Sequence, residues 1–189
     1  MSIDGNFFSK RRSVMAKKMS SDPIKEEDLN SILQAGIRVP DHGALNPWKL
    51  KVIQGDALKK IDEEIILSEF IKNKPESGKS AQDIESRRLQ RAGVVIVVLS
   101  TPVDHPSIPL WEMQLSSGAV CMNLLSSAQS KGYAAQWLTE WYSYNEKMLT
   151  TLGGTIGKDK IAGFIYIGHK KEEPLERKRP DPKNIINYL

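Results

Sequence analysis

The sequence predicts a mixed α+β chain, one domain over residues 1–189, with four or five strands and a helix-rich interface. Three observations predict it. Two uncharged, β-branched runs, Gly93–Ser100 (GVVIVVLS) and Ile161–Gly168 (IAGFIYIG), read as strands buried on both faces. Leu29, Ile32, Leu33 and Ile37 fall on one face of an amphipathic helix. Leu110–Lys131 is helical in spacing but apolar nearly all round, which places it in the core or at a subunit interface.

The remaining elements follow in order. Ile3, Phe7 and Phe8 form a short apolar stripe, a first helix ending near Arg11–Arg12. Asp22 and Pro23 suit an N-cap and first helical position for the 29–37 helix, and Pro40 ends it. Trp48–Ile53 is a short strand and Asp56–Ile71 a second amphipathic helix. Residues 72–91 are polar and charged, a mobile loop followed by a helical approach to the next strand. Tyr133–Leu138 is a further strand and Glu146–Leu152 a short helix. The tail, residues 169–189, is basic, broken by proline and apolar at its end, so it is expected to dock on the core or on a partner subunit.

Composition bounds the function. Hydrophobic residues make up 40% and charged residues 26%, the balance of a soluble globular protein. No apolar run is long enough to cross a membrane, and the start MSIDGNFFSKRRS lacks a signal-peptide core, so a cytoplasmic protein is expected. The single cysteine, Cys121, excludes an internal disulfide and reads as a small core residue. The net charge of +4 is carried entirely by the first nineteen residues, through Lys10, Arg11, Arg12, Lys17 and Lys18 against Asp4. Charge that local suits one small anion rather than the spread basic face of a nucleic-acid binder.

Several chemistries are excluded. His42, His105, His169 and Cys121 have no metal-ligand spacing, and no G-x-S-x-G elbow occurs. The cluster Gly153-Gly154-Thr155-Ile156-Gly157-Lys158 fails as a phosphate loop: Leu152 and Asp159 stand where Gly and Ser/Thr are needed, so it reads as a turn. No G-x-G-x-x-G follows a strand.

Four segments do converge. Arg11-Arg12-Ser13, at a helix end, offers two guanidiniums and a hydroxyl to a phosphate dianion. Arg38 to Trp48 (RVPDHGALNPW) puts Arg38, His42 and Asn46 on a stiff loop. Gln136-Trp137-Leu138-Thr139 ends a strand, where backbone donors can meet a planar heterocycle. Arg177-Lys178-Arg179-Pro180 adds a basic run that can supplement the phosphate site.

Together these segments resemble the nitroreductase family, over nearly the whole chain and in order, and most nearly its short single-domain subgroup. The R-R-S signature is matched by Arg11-Arg12-Ser13. The A-x-R-A-P-x-H-x-x-x-Q-P-W block is matched by Ala35 to His42 and then Asn46-Pro47-Trp48. Trp111-Glu112, Ser116 and Gly118–Asn123 match the family's central helix. Gly132–Trp137 and Asp159–Gly168 match its last two strands.

The resemblance implies a three-layer α-β-α fold with a central mixed, mainly antiparallel sheet, in an intertwined homodimer with two FMN sites, each built from both chains. It implies FMN contacts at Arg11, Arg12 and Ser13, with Arg38 and His42 from the other loop, and Trp137, Leu138 and Thr139 along the flavin ring. Ser127, Ala128, Gln129, Ser130, Lys131 and Gly132 would lie near NAD(P)H. The implied activity moves two electrons from NAD(P)H to small electrophilic acceptors such as nitro compounds and quinones, in a ping-pong cycle. The flavin carries the chemistry, so no catalytic side chain and no metal is expected. Residues 72–91 and the Trp141-Tyr142 pair are candidates to shape the acceptor pocket.

Two positions depart from the pattern. Met15 stands where many members carry Lys or Arg near the flavin, and Leu138 where the short subgroup tends to have a basic residue. Two other functions are compatible with the residues: a dehalogenating or flavin-degrading activity of the same superfamily, or a non-enzymatic dimer that binds polyanions.

Overall fold

The computed structural model describes residues 5–189, so Ile3 of the first apolar stripe lies outside the described residues. Five strands are present: β1 (Met19–Ser20), β2 (Trp48–Gln54), β3 (Val94–Ser100), β4 (Ala134–Leu138) and β5 (Lys160–Lys170). β5 is central. It pairs with β3 along one side and with β4 and β1 otherwise, while β2 closes the path beyond β3. Every ladder among the described residues is antiparallel, in keeping with the mainly antiparallel sheet that the resemblance implies.

Helices cover both faces. The run VVIVVLS is uninterrupted because Val95, Val97 and Leu99 enter one core and Val94, Ile96 and Val98 the other. Strand residues point alternately to opposite faces, so a strand covered on both sides has no solvent side for polar residues. One face carries α2 (Glu26–Gly36) and the long α6 (Leu110–Ser130), which sets Val120, Cys121, Leu124 and Ala128 on the sheet. The other carries α3 (Asp56–Ile61), which continues through a π-helical stretch, Asp62–Leu67, into α4 (Ser68–Asn73). α5 (Lys79–Glu85) and α7 (Glu146–Thr151) complete that side, and α1 (Gly5–Lys10) precedes the sheet.

Two close approaches fix this packing. A Cβ on Gly36 would stand 2.3 Å from Leu124 Cδ2, so only glycine lets α2 seat this deeply against α6. A Cβ on Gly163 would stand 2.0 Å from Trp137 Nε1: the indole lies directly on the β5 backbone.

Several expectations need correction. Helix α2 starts at Glu26 rather than at Pro23, because Asp22 is turned toward the Ser20 hydroxyl at 2.5 Å and is not free to cap. Glu26, Glu27 and Asp28 instead place negative charge on the helix's first turn. Ile37 lies past the helix and is exposed. The loop and helical approach expected over 72–91 divide as a loop at residues 74–78, then α5 and a helical turn at Leu89–Arg91, with Glu85 and Leu89 buried. The carboxylate of buried Asp62 accepts the backbone N–H groups of Leu89 and Gln90, which ties that turn to the π-helical stretch. Burial pushes the Asp62 carboxyl above its ordinary range.

Tyr142 is no pocket residue. It is fully buried, with its hydroxyl 2.6 Å from that of Tyr166. Tyr166 also has the Arg91 side chain beside it, 5.3 Å from guanidinium carbon to ring centre, whereas Tyr142 has no second partner of that kind. Tyr166→Phe therefore strands the Tyr142 hydroxyl and is expected to cost about 1–3 kcal/mol in urea unfolding. Tyr142→Phe, which leaves Tyr166 near Arg91, is expected to cost clearly less; equal costs would contradict this asymmetry.

Candidate functional site

Helix α1 ends at Lys10, and the next residues turn along the outer edge of β4. The Val14 N–H donates to the Ala135 carbonyl at 3.2 Å and the Ala16 N–H to Gln136 Oε1 at 2.6 Å. These bonds hold Arg11, Arg12 and Ser13 against the C-terminal end of α6. Arg11 Nη1 reaches Ser13 Oγ at 3.4 Å and Gln129 Oε1 at 3.5 Å, while Gln129 Nε2 donates to the Arg12 carbonyl at 2.8 Å.

The tail folds back over this segment. Arg12 Nε donates to the Leu175 carbonyl at 3.1 Å and Arg179 Nη2 to the Arg11 carbonyl at 3.3 Å. Three guanidiniums thus gather in one place, with Glu176 2.9 Å from Arg179 as a solvent-exposed carboxylate. Partial burial, then Arg179 and Arg12 in turn, lower the Arg11 pKa from its ordinary value. A cationic group destabilised by its neighbours is poised to gain from an anion. Beside it opens a pocket of about 520 Å³, walled by Phe7, Lys10, Arg11, Arg12, Gln129 and Ser130 among others.

Strand β4 runs on from Gly132 and Tyr133, which line this pocket. N–H and C=O of one residue point to the same side of an antiparallel strand. Since the Ala135 carbonyl meets Val14, the backbones of Trp137 and Thr139 also face outward from the sheet. The Trp137 indole donates to the Ala162 carbonyl at 3.0 Å and leaves its ring 37% exposed. Leu138 is half-buried against the core. Thr139, one residue past the ladder, is exposed and has no hydrogen-bond partner among the described residues. This edge can serve a flat heterocycle with backbone donors and an indole face.

Arg38 and His42 are elsewhere. Arg38 is exposed after α2, its carbonyl accepting from Asn123 Nδ2 at 2.8 Å. His42 Nδ1 lies 2.6 Å from Glu112 Oε2, at the first turn of α6, whereas Gln129 is in its last. At 1.5 Å per residue those positions are about 25 Å apart along the helix. Within one chain, His42 and Arg11 cannot grip the same small anion. The loop carrying His42 is held in a demanding conformation, with φ of 50° at both Ala44 and Asn46. Asp41 Oδ2 accepting the Asn46 N–H at 2.7 Å, and Ser116 Oγ donating to the Pro40 carbonyl at 2.9 Å, help hold it.

Of the residues assigned to a nucleotide, Gln129, Ser130 and Gly132 wall the pocket beside Arg11. Ser127 lies one helical turn back and accepts the Ser130 hydroxyl through its carbonyl. Ala128 is buried in the core, and Lys131 is committed to Asp28 at 2.9 Å. Cys121 is fully buried, and burial pushes its thiol up to about 12, so it is a core residue.

A model of the nitroreductase family matches residues 8–169. The chain belongs to the nitroreductase family. An Escherichia coli (strain K12) relative, provisionally named NAD(P)H nitroreductase YdjA, is 28% identical over 186 residues, 95% of each chain. A nitroreductase-like family protein from Bacillus cereus superposes with a TM-score of 0.81 at 22% identity, covering 100% of this chain and 98% of that one. A nitroreductase with bound FMN from Bacteroides fragilis superposes with a TM-score of 0.70 at 21% identity, covering 97% of both. These likenesses establish the three-layer fold. Among the described residues no helix is long and apolar enough to cross a membrane, and no cluster of His, Cys, Asp or Glu could hold a metal ion.

Sequence reasoning named Gln136 but not its role, which is to anchor Ala16 through its side chain, and it passed over Glu140, which follows Thr139 and pairs with Arg88 and Arg91. Neither carries a motif. Only the spatial neighbours expose them.

Proposed function

We propose that this chain is an NAD(P)H-dependent flavoenzyme of the nitroreductase type, in which two copies enclose FMN and serve small electrophilic acceptors such as nitro compounds and quinones. The observation that carries this reading is the pocket walled by Lys10, Arg11 and Arg12, with Arg179 held on the Arg11 carbonyl, together with a strand edge that presents the Trp137 indole and a Thr139 backbone unbonded among the described residues. A phosphate dianion and a flat ring match those two ends. FMN, when bound, supplies the redox chemistry, taking a hydride from reduced nicotinamide and passing two electrons to the acceptor.

The side chains then bind and orient. Arg11, Arg12 and Ser13 neutralise the phosphate; Trp137, Leu138 and Thr139 line the ring. The segment 127–132 borders the nicotinamide nucleotide. No side chain is required as acid or base.

The two-chain site follows from distance. His42 is too far from Arg11 within one chain, yet two copies of α6 packed antiparallel bring the His42 end of one beside the Arg11 end of the other. Leu110, Trp111 and Leu115 on α6, with Ile37, expose the apolar surface that such packing buries. Ile185, Ile186, Tyr188 and Leu189 of the tail are exposed too and dock on the second copy.

The absorption spectrum of the purified protein tests this reading. Flavin bands that bleach with NAD(P)H in the absence of air, and return when a nitroaromatic is added, are the expected result. A colourless monomer that takes up no FMN from an excess would overturn it.

A further inference from the structure

We infer that Glu140, gripped by Arg88 and Arg91, is a positioning residue that fixes the Trp137–Thr139 edge against the flavin ring; this rests on the proposed function. The β4 ladder ends at the Leu138–Phe164 pair. Thr139 makes no hydrogen bond, so the next fixed point along the chain is Glu140. Its carboxylate meets Arg88 Nη1 at 2.8 Å and Arg91 Nη2 at 3.2 Å, and its carbonyl accepts the Ser143 N–H at 2.8 Å.

The two arginines are themselves held. Arg88 pairs with both oxygens of Glu85, at 3.0 and 2.5 Å, and Glu85 is 4% exposed and also accepts from Trp141 Nε1 at 3.0 Å. Arg91 Nε donates to the Arg88 carbonyl at 2.6 Å, and its guanidinium stands over the Tyr166 ring on β5. Glu140 is thereby tied to α5, to the 88–91 turn and to β5 at once.

A largely desolvated ionic network adds little stability over apolar packing of the same volume. What it does supply is directional constraint on one backbone position. That position adjoins Thr139, whose backbone makes no hydrogen bond among the described residues. Binding geometry of this kind must be held to within about 0.5 Å.

Glu140→Gln and Arg91→Gln provide the test, read by the flavin midpoint potential and FMN affinity. Outward N–H donors favour the negative charge that flavin gains on reduction, so loosening the edge weakens the reduced form more. Both variants are therefore expected to lower the potential, and to weaken FMN binding by about tenfold, the lower end of what supporting contacts contribute at metal sites. A through-space charge effect would instead move the two potentials in opposite directions, because one variant removes a negative and the other a positive charge. Opposite shifts, or unchanged potentials with flavin bound, would overturn the inference while leaving the proposed function standing. Failure of the unaltered protein to take up FMN would overturn the proposed function, and the inference with it. If either Gln variant does not fold, Glu140→Asp keeps the charge but shortens the reach by one methylene. It must then give the same downward shift, and an unchanged potential counts against the inference.

Discussion

Replacing Arg11 and Ser13 together by alanine is expected to weaken FMN binding by roughly 30- to 1,500-fold. A hydrogen bond to a charged group contributes about 1.5–3 kcal/mol and a neutral one about 0.5–1.5 kcal/mol, and every 1.4 kcal/mol is about tenfold in affinity. The loss should fall on binding and not on folding. Arg11 meets Gln129 and Ser13 only at 3.5 and 3.4 Å, long contacts that add little to the protein by themselves. Relieving its crowding by Arg12 and Arg179 offsets part of what is lost. Titration of the apoprotein with FMN, alongside a thermal melt, separates the two effects. An affinity within threefold of the unaltered protein would place the phosphate somewhere other than the end of α1.

The largest stability effect is expected at Leu124. Its side chain is fully buried between α2 and the sheet and presses on the Gly36 backbone. Leu124→Ala is expected to cost about 2–5 kcal/mol, the lost transfer energy plus a cavity that the helices cannot close. For a chain of this size that lowers the melting temperature by roughly 5–15 °C. Gly36→Ala is itself expected to destabilise, since its new methyl would stand 2.3 Å from Leu124 Cδ2. In the Leu124→Ala background the same methyl enters the cavity, so the pair should be non-additive by at least about 1 kcal/mol. Strict additivity in urea unfolding would show that the two positions do not touch.

The sheet was legible because its strands answer to purely local rules. A run such as GVVIVVLS admits only a strand covered on both faces, and that is its place. The start of α2 was not legible. Asp22 and Pro23 satisfy the capping pattern, but the Ser20 hydroxyl captures Asp22, and a two-residue contact outside the helix outweighs a motif. The helical approach to β3 over residues 79–91 was legible, but the burial of Glu85 within it was not. Glu85 is buried because Trp141 and Arg88 satisfy it, and a partner 56 residues away leaves no mark on local periodicity. Tyr142 fails as a pocket residue on the same ground, since Tyr166 receives its hydroxyl 24 residues later. As for the site, the arginines and the ring-facing strand end stood out as residue types with one chemistry. Their separation from His42 by the length of α6 belongs to the fold alone.

The pairing of Met19 with Lys170 has a consequence for biosynthesis. Residues 14–20 find their places against β4 and β5, strands synthesised more than a hundred residues later. At translation rates of about 5–20 residues per second, the nascent N-terminus waits roughly 8–30 s for its partner strand to leave the ribosome. The segment carrying Arg11 and Arg12 is thus made well before the strands that seat it, and a truncated translation product lacking β4 and β5 would be without the Ala135 and Gln136 bonds that hold it in place.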